Sequence, residues 1–135
     1  MVKQKKKKRR IALWIVLGVV AFLVIFSASF LMMGQGTIKE MTIGNVSAAE
    51  VPDGTYTGNF DGYRWSNTLQ VTVAGGKITG IEMIKDQSVA VPDVSGKLFA
   101  AVVEKQSLQV DAVTGATVSS KAYLKAIENA LAGEK

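Results

Sequence analysis

Residues 111–120 read Asp-Ala-Val-Thr-Gly-Ala-Thr-Val-Ser-Ser, and residues 118–132 behind them carry a helical period. That order places Thr117 at or next to a helix N-cap. Unpaired backbone N–H groups and the positive end of the helix dipole attract anions at such a point. A phosphate held there lies against a hydroxyl that can be esterified. The ordinary alternative is a threonine that only caps its helix, and spacing alone favours it. Asp111 stands in the loop that shapes the helix entrance, where an Asx turn is an equally available local role.

The rest of the chain offers little competing chemistry. It contains no cysteine and no histidine. That excludes disulfide scaffolds, thiolate catalysis, most zinc sites and any histidine-based triad. The carboxylates Asp53, Asp61, Glu82, Asp86, Asp93 and Glu104 form no close pair beside a nucleophile. Asp53-Gly54 and Asp61-Gly62 read as turns, and no Walker or dinucleotide fingerprint occurs.

The elements that must position Thr117 occupy only part of the 135 residues. Seven of the sixteen basic residues lie within positions 1–10, so the net charge of +5 misrepresents the remainder. Residues 11–135 carry nine basic and eleven acidic groups, a net of −2, with no basic face suited to nucleic acid. Residues 11–33 are uncharged and apolar; as a helix they extend about 34 Å, enough to cross a hydrocarbon core of about 30 Å. The run is longer than the apolar core of a cleaved signal peptide, and an uncleaved anchor is the favoured reading. The basic cluster of 1–10 then stays cytoplasmic and the rest of the chain lies outside.

Residues 34–51, rich in glycine and small residues without a sustained period, read as a flexible tether. The folded domain is expected over 52–135. Residues 54–60 predict a short strand. Alternation from Tyr63 through Trp65, Leu69, Val71 and Val73 predicts a second, with one face buried. Gly75-Gly76 predicts a hairpin turn into a third strand over 77–85. Helical spacing follows over 94–106 and 118–132, with Tyr123, Ala126, Ile127, Ala130 and Leu131 inward and Gly133 as the stop. The fold class is therefore α+β: an antiparallel sheet of three or more strands packed with two helices, preceded by one transmembrane helix.

The segment 111–120 resembles the flavinylation motif of the FMN-binding domain family, with Asp111, Thr114, Gly115, Ala116 and Thr117 all matching. That family includes a subunit of the sodium-translocating NADH:quinone oxidoreductase, a subunit of Rnf complexes, and extracellular electron-transfer proteins of Gram-positive bacteria. Gln106-Ser107, the opening Asp53-Gly-Thr-Tyr-Thr-Gly58, Gly62-Tyr63 and Gly76-Lys77-Ile78 are also similar to family members. The resemblance implies FMN joined to Thr117 by a phosphoester bond, installed by a separate flavin transferase that uses FAD. It implies cofactor contacts at Asp111, Thr114, Gly115, Ala116 and Ser119, with Gly115 allowing close backbone approach and Asp111 presenting the motif to the transferase. Tyr63 and Trp65 are candidates for an aromatic wall beside the flavin ring, core packing being their alternative role. Larger members carry a Glu-Thr-x-Gly-type segment after the third strand, where Asp86-Gln87-Ser88 stands here.

The expected protein is thus a bacterial, single-pass, outward-facing flavoprotein that carries electrons and has no substrate turnover of its own. Its electrons would come from a membrane-bound oxidoreductase. The alternatives are an anchored binding or sensor module that is never flavinylated, and a flavin-dependent reductase of a small extracellular acceptor.

Overall fold

The computed structural model describes residues 2–90 and 92–133. Position 1 of the basic tail and positions 134–135 of the expected domain lie outside the described residues. The chain divides into two compact units after Met33.

The first unit is one helix, α1 (Val2–Met32), long and apolar enough to cross a membrane. Its large side chains are exposed all round: Trp14 is 74% exposed, and Phe22 and Phe26 stack at 6.1 Å on its surface. A helix apolar on every side has no core-facing stripe of its own and needs an apolar surrounding.

The second unit holds a three-stranded antiparallel meander, β1 (Gly54–Phe60), β2 (Asn67–Ala74) and β3 (Lys77–Lys85), in the order β1-β2-β3. Gly75 and Gly76 both have positive φ (60° and 74°), as a tight hairpin turn requires. On β2, Leu69, Val71 and Val73 point into the core and alternate with Thr68, Gln70 and Thr72. Two further helices, α3 (Pro92–Lys105) and α4 (Thr117–Ala132), close the core with Leu98, Val102, Tyr123, Ile127 and Leu131. The α+β class and the expected elements are all present.

Two expectations are corrected. The second strand does not begin at Tyr63: residues 63–65 form a 3-10 turn, Tyr63 has φ +54° and is 63% exposed, and only Trp65 is buried. Ser66 causes this. Its Oγ accepts from the Gly62 N–H (2.9 Å) and donates to the Tyr63 carbonyl (2.8 Å), so local bonds displace a strand ladder.

Residues 34–51 are also not a free tether. They contain a short helix, α2 (Gln35–Glu40), and a 3-10 turn over 48–50, and they pack on the domain. Ile38 and Ala48 are buried. Side chains from the domain take up the segment's backbone groups: Glu128 accepts from the Gly44 N–H, and Gln109 donates to the Ile43 carbonyl. Isolated apolar anchors and captured backbone groups hold a stretch whose composition reads as linker.

Helix α4 rests on β1 at Gly58. A Cβ on Gly58 would stand 2.0 Å from the Ala126 carbonyl oxygen and 2.7 Å from the Ala130 Cβ, so only glycine admits the helix at this depth. Gln106 plays a matching role beyond α3. With φ +51° it turns its amide onto β3, accepting from the Ile78 N–H (2.7 Å) and donating to the Ile78 carbonyl (2.8 Å). It thereby completes a strand edge and fixes where the loop 107–116 departs.

Candidate functional site

The loop enters α4 through a tight turn in which the Ala116 N–H donates to the Val113 carbonyl at 2.9 Å. Gly115 occupies its third position with φ +79°. A Cβ there would meet no protein atom within 4 Å, so the left-handed backbone is what calls for glycine within the fold. Ala116 is the N-cap, and no side chain caps the helix. Thr117 is therefore the first helical residue, one position beyond the cap, and its side chain does no capping. Its hydroxyl is exposed and has no hydrogen-bond partner among the described residues. The N–H groups of Thr117, Val118 and Ser119 are likewise unpaired there, and the first paired amide is Ser120, donating to Ala116 (2.9 Å). An unbonded hydroxyl oxygen thus stands beside three free donors at the positive end of a 16-residue helix.

Ser120 is the site residue that sequence reasoning missed. Fully buried, its Oγ accepts from the Val113 N–H at 3.1 Å and so ties the turn to the first turn of α4. The available signal was its phase: Ser120 shares the inward stripe of Tyr123, Leu124 and Ile127. Ser120→Ala should cost about 1–3 kcal/mol by stranding the Val113 N–H. Urea melts and the flavin loading of the variant check this, with both expected to fall together.

Thr117 opens onto a cavity of about 320 Å³ lined by Gly115, Ala116, Val118, Ser119, Trp65, Gln35 and Lys39. Of the two aromatic candidates, Trp65 is at this cavity, its ring packed with Ile38, Val118 and Ala122 and the Arg64 guanidinium 5.1 Å from its centroid. Tyr63 is not: it lines a separate cavity with Phe60, Gly62 and Gly34. Asp111 also faces elsewhere, into a cavity of about 410 Å³ shared with Gln109 and Lys121. Its carboxylate makes no hydrogen bond among the described residues, so no Asx turn forms. Thr114 is exposed in the turn.

The Asp86-Gln87-Ser88 segment braces the same helix end. Gln87 is buried and donates from Nε2 to the Ser119 carbonyl (3.1 Å), while Asp86 Oδ1 accepts from the Tyr123 hydroxyl at 2.5 Å. Burial first, then the hydrogen bond and charge of Asp86, push Tyr123 well above the ordinary tyrosine value of 10.0. The folded state keeps a proton that the unfolded chain releases near that value. The stabilisation is complete below about pH 10 and is lost as pH rises beyond it. Tyr123→Phe should flatten the alkaline fall of Tm above about pH 10, and an unchanged slope would contradict the assignment.

Fold and site define a small α+β domain that presents an unbonded threonine hydroxyl at an anion-receptive helix end. A family model, FMN-binding domain, matches residues 62–132, just over half of the chain. The chain belongs to the FMN-binding domain family, and FMN is the cofactor that membership supports. The unpaired amides at the start of α4 fit the phosphate of that cofactor. The chain is 35% identical over 88 residues to an uncharacterized protein of Treponema pallidum (strain Nichols), which covers 63% of this chain and 24% of that protein. It is 36% identical over 78 residues to a urocanate reductase of Eggerthella lenta, covering 56% and 13% respectively. The chain thus spans about a quarter and an eighth of these relatives. A Clostridium perfringens protein of known crystal structure is 27% identical, with a TM-score of 0.48, over 62% of this chain and 88% of that one.

Proposed function

We propose that this protein is a membrane-anchored, extracytoplasmic electron carrier whose FMN is esterified to Thr117. The observation that carries the reading is the Thr117 hydroxyl, exposed and unbonded beside three unpaired amides at the start of α4. The Thr117 Oγ–phosphorus bond forms as the pyrophosphate of FAD breaks. AMP leaves and the hydroxyl proton is released, the catalyst being a separate flavin transferase. The product phosphodiester keeps one negative charge, which a helix N-terminus favours by about 0.3–1 kcal/mol. When bound, FMN supplies the redox chemistry, and the protein supplies attachment and orientation. A covalent bond suits an open cavity of this size, which does not enclose a flavin, and it prevents loss of the cofactor outside the cell.

Helix α1 is the proposed anchor, with the basic residues of 1–10 cytoplasmic. The electron donor is then a membrane-bound oxidoreductase. The likeness to a urocanate reductase favours a second reading, in which the flavin passes electrons directly to a small acceptor. The matched segment is only 13% of that protein, which supports a carrier segment more than a whole reductase. Co-expression of the full chain with a flavin transferase tests the first reading: a fluorescent flavin band should survive a denaturing gel. A colourless product would support the non-flavinylated module instead. Turnover of an acceptor by the purified protein with an artificial donor would establish the second reading.

A further inference from the structure

Part of the lining of the Thr117 cavity comes from α2, a segment that precedes the matched family region. Gln35 and Lys39 lie one helical turn apart on α2, so both side chains reach the same side, the cavity. The helix is fixed there by two independent devices. Ile38, 3% exposed, packs against Trp65, Val118 and Ala122. The Lys121 ammonium, from the second turn of α4, donates to the main-chain carbonyls of Lys39 and Met41 at the end of α2. Three apolar contacts and two charge-assisted hydrogen bonds thus hold a helix too short to persist alone.

The electrostatics of the cavity are one-sided. Lys39 is the one charged residue in its lining, and its ammonium has no carboxylate or hydrogen-bond partner among the described residues. Lys39 lines the same cavity as residues 117–119, whose amides are unpaired. A lone exposed cation and three free donors around one cavity leave the space receptive to a single anion, and no acid in the lining offsets them.

We propose that Lys39 is a cofactor-positioning residue of this chain, its ammonium pairing with the phosphodiester on Thr117 and Gln35 adding a polar contact. Segment 34–41 is thereby the second wall of the flavin site. The proposal rests on flavin attachment at Thr117. It assigns to residues outside the family-matched region the task of holding the ester against the helix end.

The test uses the full chain in detergent, prepared with and without transferase, as wild type, Lys39→Gln and Lys39→Arg. Intact mass first reports flavin attachment. Amide hydrogen exchange over residues 34–41 is then compared between modified and unmodified forms of each variant, which cancels any intrinsic effect of the substitution on α2. In wild type, attachment should slow exchange about two- to fivefold, the size a single exposed charge contact supports. Lys39→Gln should abolish the slowing and Lys39→Arg restore it. The ³¹P resonance of the ester should move in Lys39→Gln and return towards wild type in Lys39→Arg. Full attachment with equal slowing and an unmoved resonance in Lys39→Gln would overturn the role of Lys39 alone. Absence of the mass increment in wild type would overturn the attachment and the proposal with it.

Discussion

Thr117→Ala is expected to abolish covalent flavin completely while leaving the fold's stability within about 0.5 kcal/mol of wild type. The combination is what discriminates. A threonine that served only as an N-cap would carry no flavin, and its removal would cost about 0.5–2 kcal/mol. Here Ala116 holds the cap position, no side chain closes the helix end, and the Thr117 hydroxyl is solvent-exposed without a partner. Nothing structural is lost with that oxygen. Gel fluorescence and urea melts of the two proteins check both halves of the expectation. A variant destabilised by more than about 1 kcal/mol would return Thr117 to a structural role.

Gly58→Ala is expected to cost about 1–3 kcal/mol of stability. The new methyl group would sit 2.0 Å from the Ala126 carbonyl oxygen, a backbone atom that cannot rotate away. Helix α4 must therefore lift from β1, and the inward stripe of Ala126, Ile127 and Ala130 lifts with it. Because α4 begins with Thr117, flavin loading should fall in the same variant. Gly80→Ala on β3 is the control, since a Cβ there would meet nothing within 4 Å. Thermal melts of the pair should separate clearly. Equal melting temperatures would show that α4 does not depend on this close approach.

The parts of this fold legible in the sequence are those in which one period governs a whole element. Helix α4 shows its buried face through Tyr123, Ala126, Ile127, Ala130 and Leu131, all found inward. Gly75-Gly76 marks the hairpin because only residues tolerant of positive φ can make it. Alternation misled at Tyr63 and Trp65: the pattern runs on through a turn that Ser66 closes with its side chain. Helix α2 escaped because six residues are too few to display a period, and its seat depends on Lys121, some eighty positions away.

The site divides along the same line. Asp111, Thr114, Gly115, Ala116 and Thr117 announce themselves together by resemblance, yet the structure gathers only the last three around one cavity, with Ser119 and Trp65. Thr117 stands next to the N-cap, within the expected placement, and the alternative of Thr117 as the cap itself falls because the backbone dihedrals of Ala116 set the cap. Gly58 could be noted from resemblance, but its reason exists only once α4 is in place. Lys39 and Gln35 lacked any local signal for the site, since their role depends on contacts between distant segments.

The attachment of FMN to Thr117 is tested most directly by intact mass of the full chain co-expressed with a flavin transferase, followed by fragmentation of the peptide that spans residues 111–121. A mass greater by one FMN less one water is expected, with the increment localised to Thr117. An unmodified mass, or an increment on any other residue, would contradict it.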